Sequence, residues 1–482
     1  MSLTRRIAHN TGIQFAGKII GTLIALVTIS IMLRYLGKEG FGQYATAINF
    51  LSVFAILIDL GLYLIVTREI SKPNADEEKL ISNTLTFRLT VGIVILSLAP
   101  LIGLFMPYAP ITKWAILVNS SAFLFMSLNQ ILTGLFQKHL RMDKVSIGEV
   151  VGRLFWLASV LIIVKLDLGL LWIVGTNAIA ALINFLLLFI FSRKFTRVRL
   201  AFDFKLWRDI WVSATPLAIN VILNLVYFKA GIIALSIMDT EEAVGTLGAA
   251  QKILENLIAF SAIFAGLLFP LFAKYIFKDK KKFERVYKKG FDAIAMLVIP
   301  LVAGTIVLAE RIVVFFGGEE FQSSAGVLSV LMIAVGAIFF GNLFGNAIVA
   351  ADIQKRLVKV YIVNAALAVG ISITLIPYLS YYGAAISTLV TEIIVAFAAA
   401  VLVYKHLKLL PSFVVFFKSL FAAALMLLTI VLIPESVNLI LTILAGGVVY
   451  FVALFVIGGV SKEVVMEVVA VRRGSGAVEK KE

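Results

Sequence analysis

Residues Arg34–Phe50, RYLGKEGFGQYATAINF, form a charged, glycine-rich break between two long apolar runs. The runs on either side, Ile13–Leu33 and Phe41–Val66, are each long enough to span a bilayer at about 1.5 Å per residue. The break therefore reads as a tight turn on the far side of a membrane. About 203 residues further on the arrangement returns, with FGQYATAINFL (Phe41–Leu51) falling on VGTLGAAQKIL (Val244–Leu254). Identities are few. Both copies nevertheless place a Gly at the helix entry, small residues after it, and then a polar side chain in an otherwise apolar helix. The chain reads as one lobe written twice.

Composition agrees with a membrane as the solvent. The 482 residues are 61% hydrophobic and 15% charged, and a mean hydropathy of +1.03 cannot be folded behind water-facing surfaces. An all-α polytopic membrane protein is expected, with about fourteen spans: 12–36, 41–66, 83–107, 110–136, 145–165, 168–192, 210–238, 245–274, 290–316, 322–350, 359–378, 382–404, 414–433 and 438–458. Strands are disfavoured because the runs are too long and lack period-two alternation. The first run is too long for a cleavable signal peptide, and no small-residue cleavage pattern closes it.

The net charge of +15 follows mainly from topology. Basic residues crowd the loops on the side of the N-terminus, whereas the opposite loops hold Lys38, Lys113 and Lys165. The positive-inside rule then places both termini in the cytoplasm of a cell (inner) membrane, and nucleic acid is not an expected partner. The linker Ser192–Asp209, with six of those cations, divides an N-lobe (residues 1–200, spans one to six) from a C-lobe (201–408, spans seven to twelve). An even number of spans per lobe makes the two pseudo-symmetric six-helix lobes a parallel repeat. Two extra C-terminal helices (409–460) and a cytoplasmic tail (461–482) follow, the tail read as a short amphipathic helix ending in disorder.

Ionisable residues inside spans are costly against lipid, so each must snorkel, pair or face a wet cavity. Lys18, Arg88 and Arg153 fall about 8 to 10 Å in from the cytoplasmic face, and Lys229 and Lys252 about 10 to 13 Å in from the outer face. Together they would make a cationic path for a phosphate-bearing substrate. Local pairing is the alternative, because Glu149 stands four residues before Arg153 and Glu255 three after Lys252, both at same-face helical spacing. Asp59, Glu149, Glu255 and, further along, Glu392 are carboxylates that could couple transport to protons or sodium. Intramembrane amides, Asn49 among them, could bind sugar hydroxyls or serve as interhelical glue.

Other patterns carry little. Gly12–Lys18 satisfies GxxxxGK, but Ile19 stands where Ser or Thr belongs and no strand precedes it. Gly17 with Gly21, Gly148 with Gly152 and Gly341 with Gly345 are GxxxG helix contacts. No catalytic set, cofactor or metal site is expected: there is no cysteine, and His9, His139 and His406 are scattered.

The outer turn Leu36–Ala45 (LGKEGFGQYA), the Asp59–Leu62 close of span two (DLGL) and the Phe269–Lys274 close of span eight (FPLFAK) resemble the polysaccharide-biosynthesis flippases of the multidrug/oligosaccharidyl-lipid/polysaccharide exporter superfamily, over essentially the whole 6+6+2 layout. The resemblance implies a non-enzymatic transporter. It would move a polyprenyl-pyrophosphate-linked oligosaccharide to the outer leaflet by alternating access, driven by membrane potential, H+/Na+ antiport or both. Its expected partners are that substrate, membrane lipids and other polysaccharide-assembly proteins, and a monomer suffices. Two alternatives compete. A multidrug or cation antiporter of the same superfamily should have an acidic site. A membrane-embedded polymerase or ligase acting on lipid-linked glycans should have a sizeable catalytic outer loop.

Overall fold

The computed structural model describes residues 3–459, and the side chains from residue 12 onward except those at 216, 217, 219, 220, 259, 262, 263, 265 and 267. The tail expected over residues 461–482 lies outside the described residues. Among the described residues fifteen α-helices follow one another: α1 (Leu3–Asp59), α2 (Leu62–Ile70), α3 (Glu77–Leu104), α4 (Pro110–Lys138), α5 (Met142–Leu166), α6 (Leu170–Ser192), α7 (Phe204–Met238), α8 (Glu241–Tyr275), α9 (Lys280–Val307), α10 (Ala309–Gly317), α11 (Ser324–Ala350), α12 (Lys355–Leu379), α13 (Tyr381–Leu407), α14 (Val414–Leu432) and α15 (Leu439–Val456). Twelve segments among the described residues are long and apolar enough to cross a membrane. The first of them, Gly12–Ile70, is 59 residues long and covers the first two expected spans, and α8 lies on the eighth.

The expected turn at Arg34–Phe50 is tighter than a loop. Two helical halves meet within α1 at a single non-helical residue, Gly37, with φ 64° and ψ −173°. Only glycine takes that backbone conformation without a steric penalty. The second half ends at Asp59, where Leu60 (φ 40°) and Gly61 (φ 79°) are left-handed before the short α2 begins. Span two is therefore broken near its end.

The chain packs as two compact units. Among the described residues one comprises 3–256, Phe316–Val327 and Val358–Thr391; the other comprises Leu257–Phe315, Leu328–Leu357 and 392–459. The first unit has a core around Met32, Phe41, Leu51, Ile58, Ile116, Ile173 and Phe321, all fully buried or nearly so. A second core in the same unit joins Ile70 and Ile81 to Ile131, Leu135 and Phe136. In the other unit the Tyr450 hydroxyl of α15 donates to the Met296 carbonyl of α9 (2.9 Å). The guanidinium of Arg311 donates to the Val437 carbonyl and to Thr442 Oγ1, holding down the turn between α14 and α15.

Close helix contact depends on glycine at one place above all. Gly42 of α1 and Gly245 of α8, equivalent positions of the sequence repeat, lie against each other's backbone. A third glycine, Gly248, faces Ala45 beside them.

Candidate functional site

Lys229 of α7 and Lys252 and Glu255 of α8 converge on one carboxylate. Lys229 Nζ donates to Glu255 Oε1 at 2.8 Å and Lys252 Nζ to Oε2 at 2.9 Å. The second half of α1 contributes Asn49. Its amide nitrogen is committed to the Ala45 carbonyl one turn back (2.8 Å), which fixes Oδ1 to accept from Lys229 Nζ (2.9 Å). Asn256 Nδ2 holds the Lys252 carbonyl at 2.8 Å, and the Lys229 ammonium also lies 5.5 Å from the Phe228 ring centroid. The three charged side chains are largely but not wholly enclosed, at 14%, 20% and 29% exposure for Lys229, Lys252 and Glu255.

This arrangement carries one net positive charge. An ammonium has three N–H donors; among the described residues Lys229 directs two to oxygen and Lys252 one. Surplus charge and open donors in a low-dielectric setting are what an anion with several acceptor oxygens, such as a phosphate, requires of its partners.

The other sequence candidates are placed apart from this cluster. Arg88 of α3 is fully buried and faces the broken end of α1. Its guanidinium donates to the Asp59 carboxylate, to the Asp59 carbonyl (3.4 Å), to the Ser127 carbonyl (2.8 Å) and to Gln130 Oε1 (3.0 Å). A cation at the carbonyl end of a helix offsets its dipole, so Arg88 and Asp59 hold the Leu60–Gly61 break in place. Arg153 donates to Glu149 Oε1 and to the Gly21 carbonyl of α1, both at 2.6 Å. Lys18 is exposed and has no polar partner among the described residues. The structure therefore brings Lys229 and Lys252 together, and gives each proposed coupling carboxylate, Asp59, Glu149 and Glu255, a cationic partner. Glu392 is buried in α13.

Asn49 was expected only as one of many amides, and nothing in the sequence marked Glu241. Glu241 Oε2 accepts from Gln43 Nε2 (2.9 Å), while Oε1 accepts from Thr112 Oγ1 (2.5 Å) and from the Ala109 backbone N–H (3.4 Å). The carboxylate thereby ties α1, α4 and α8 together next to the glycine contact. An acid in the first turn of a helix is the only signal that could have pointed to it.

Residues 7–276 match the family model described as polysaccharide biosynthesis protein. The chain is 22% identical over 409 residues to "Probable low-salt glycan biosynthesis flippase Agl15" of Haloferax volcanii, covering 83% of this chain and 82% of that one. Its fold is similar to that of the lipid II flippase MurJ in an inward closed conformation, with a TM-score of 0.77, 14% identity and coverage of 94% of this chain and 99% of the other. It is also similar to an inward-facing multidrug resistance MATE family transporter of the MOP superfamily, with a TM-score of 0.64, 13% identity and coverage of 82% and 98%. This chain thus has the all-helical fold of those transporters.

Proposed function

Because this chain belongs to the polysaccharide biosynthesis protein family, we propose that it is a flippase for a polyprenyl-pyrophosphate-linked oligosaccharide, and that Lys229 and Lys252 receive the pyrophosphate. One observation carries this reading: two ammonium groups on neighbouring helices share a single carboxylate and keep donors to spare. The name of the Haloferax volcanii relative, a glycan biosynthesis flippase, supports the same substrate class. Glu255 stands in for the ligand in the empty carrier. An arriving pyrophosphate competes with it for both ammonium groups, and a displaced carboxylate can leave the site by taking up a proton, which would couple transport to a proton gradient. Asp59 and Glu149 remain candidates for that coupling. Lys18 and Arg153 would carry the cationic path toward the cytoplasmic face, and Arg88, enclosed against Asp59, would act on it only through the Leu60–Gly61 break.

The remaining features of the reading follow from charge. Basic loops place both termini in the cytoplasm of the cell membrane, and alternating access operates between the lobes at residues 1–200 and 201–408, with the helices of 409–460 beside them. Moving one negative charge outward across an inside-negative membrane gains about 2.3 kcal/mol per 100 mV, so an anionic head group has a downhill component without ATP. The test is leaflet exchange of a fluorescent polyprenyl-pyrophosphate-linked oligosaccharide in proteoliposomes. The intact chain should exceed empty liposomes, and Lys229→Ala and Lys252→Ala should fall to the empty-liposome rate. Exchange at the intact rate in both variants would remove the assignment of the site; none from the intact chain would remove the flippase reading.

A further inference from the structure

Between α6 and α7 the chain has no regular secondary structure, and from Arg199 to Asp203 alternate backbone N–H groups bond to one helix, the pattern of an extended course. The backbone N–H groups of Arg199, Ala201 and Asp203 donate to Ser82 Oγ (3.2 Å), Thr86 Oγ1 (3.0 Å) and Asn83 Oδ1 (2.7 Å) of α3. On the same side, Arg199 pairs with Glu78 (3.3 Å) and Asp203 with Lys79 (2.9 Å). In an extended chain side chains alternate faces with period two. Leu200 and Phe202 therefore share the other face, Phe204 opens α7 beside them, and the three are 69%, 61% and 71% exposed. The Phe202 and Phe204 rings lie 5.8 and 5.2 Å from Trp207, which in turn contacts Phe87 at 5.3 Å.

We propose that this segment is an interfacial anchor that binds anionic phospholipid of the adjoining leaflet. The flanking charge selects the occupant: Arg193, Lys194, Arg197, Lys205 and Arg208 stand against Asp209, while Arg199 and Asp203 are already paired with Glu78 and Lys79. Depth agrees with the interface. α7 has 35 residues, about 52 Å at 1.5 Å per residue against a hydrocarbon core of about 30 Å, and Lys205, Arg208 and Asp209 all lie in its first two turns, so those turns project beyond the hydrocarbon, where aromatic rings prefer to lie. Large apolar side chains pointing out of a basic, non-helical segment match an acyl-chain boundary under acidic head groups. Each nearby cation strengthens attachment to an anionic surface about fivefold. The inference concerns a surface separate from Lys229 and Lys252 and does not depend on what is transported.

The absence of cysteine from the chain allows a direct test. Single nitroxides at Leu200→Cys and Phe202→Cys in the full-length protein would be placed in vesicles of phosphatidylcholine, with and without phosphatidylglycerol. Collision with oxygen and with a neutral nickel chelate would then be measured. With phosphatidylglycerol, both labels should be open to oxygen and shielded from nickel. That shielding should diminish without the anionic lipid, and also in the Arg197→Gln/Lys205→Gln/Arg208→Gln variant. Nickel reaching the labels equally in both vesicles would overturn the proposal. So would shielding from both reagents, which would mean a protein partner covers the segment. Shielding indifferent to lipid charge would overturn it as well.

Discussion

A Cβ placed on Gly42 would fall 1.7 Å from the carbonyl oxygen of Glu241, and one placed on Gly245 would fall 2.0 Å from the carbonyl oxygen of Lys38. The relation is reciprocal, since the repeat offset that carries Gly42 onto Gly245 also carries Lys38 onto Glu241. Each glycine is thus pressed against the carbonyl one turn before the other. The two helix entries meet backbone to backbone, as small residues allow where helices pack in a membrane.

Alanine at either position forces the helices apart, because backbone cannot yield as a flexible side chain would. Gly42→Ala and Gly245→Ala should each lower stability by about 1 to 3 kcal/mol, the usual cost of overpacking. They should also lower flipping more than Gly175→Ala, whose Cβ meets only Val118 Cγ1 at 3.9 Å. Thermal unfolding in detergent beside liposome exchange would check the ranking, and equal behaviour of all three variants would contradict it.

Removing either partner of the Arg88–Asp59 pair leaves the other charge without its counter-ion. Arg88→Ala and Asp59→Ala should each destabilise the protein by about 3 to 5 kcal/mol. The Arg88→Leu/Asp59→Leu double variant should recover part of that loss, since two apolar side chains leave no charge stranded. Melting temperatures of the single and double variants decide the matter; additive losses would argue against direct coupling.

At the lysine pair, Glu255→Gln removes the competing carboxylate while keeping its size. Equilibrium binding of a fluorescent polyprenyl pyrophosphate should tighten about tenfold, for a difference of about 1.4 kcal/mol. Leaflet exchange should slow, because nothing then competes for the ammonium groups as the ligand leaves. Weaker binding in this variant would show that Glu255 helps to hold the ligand.

The segment between α6 and α7 should respond to acid in a defined window. Asp203 lies outside the spans, and the bond from the Lys79 ammonium, together with the Leu206 backbone N–H, holds its carboxyl below the ordinary carboxylate value. A depressed carboxylate stabilises the fold fully above its unfolded pKa of about 3.9, and that contribution is lost as pH falls through the still lower folded value. Amide exchange at the start of α7 should therefore be insensitive to Asp203 between about pH 5 and 8, and should quicken only below about pH 4. In Asp203→Asn it should be fast throughout.

Residues near in sequence were legible, and those brought together by packing were not. Glu149 with Arg153, and Lys252 with Glu255, follow from helical spacing alone, and both pairs form. Arg88 and Asp59 are 29 residues apart, and Lys229 and Glu255 are 26. No periodicity announces either partnership, because each depends on how helices are rotated against one another. Hydropathy located the spans, and the glycines of LGKEGFG located the first break. The extended course of residues 199–203 is not legible in the sequence because its hydrogen-bond partners, Ser82, Asn83 and Thr86, belong to a helix more than a hundred residues earlier.

The same offset that joins Gly42 to Gly245 superposes Asn49 on Lys252. A perfectly doubled ancestor would have shown an incoming head group two identical side chains, related by the axis through the glycines, with no preference for one half over the other. In the present chain one of those places is a neutral amide and the other a cation, and Lys229 joins the first directly and the second through Glu255. On the proposed reading, that difference between the halves would tilt the grip to one side of the axis, and an asymmetric cargo would meet a single handedness of attachment.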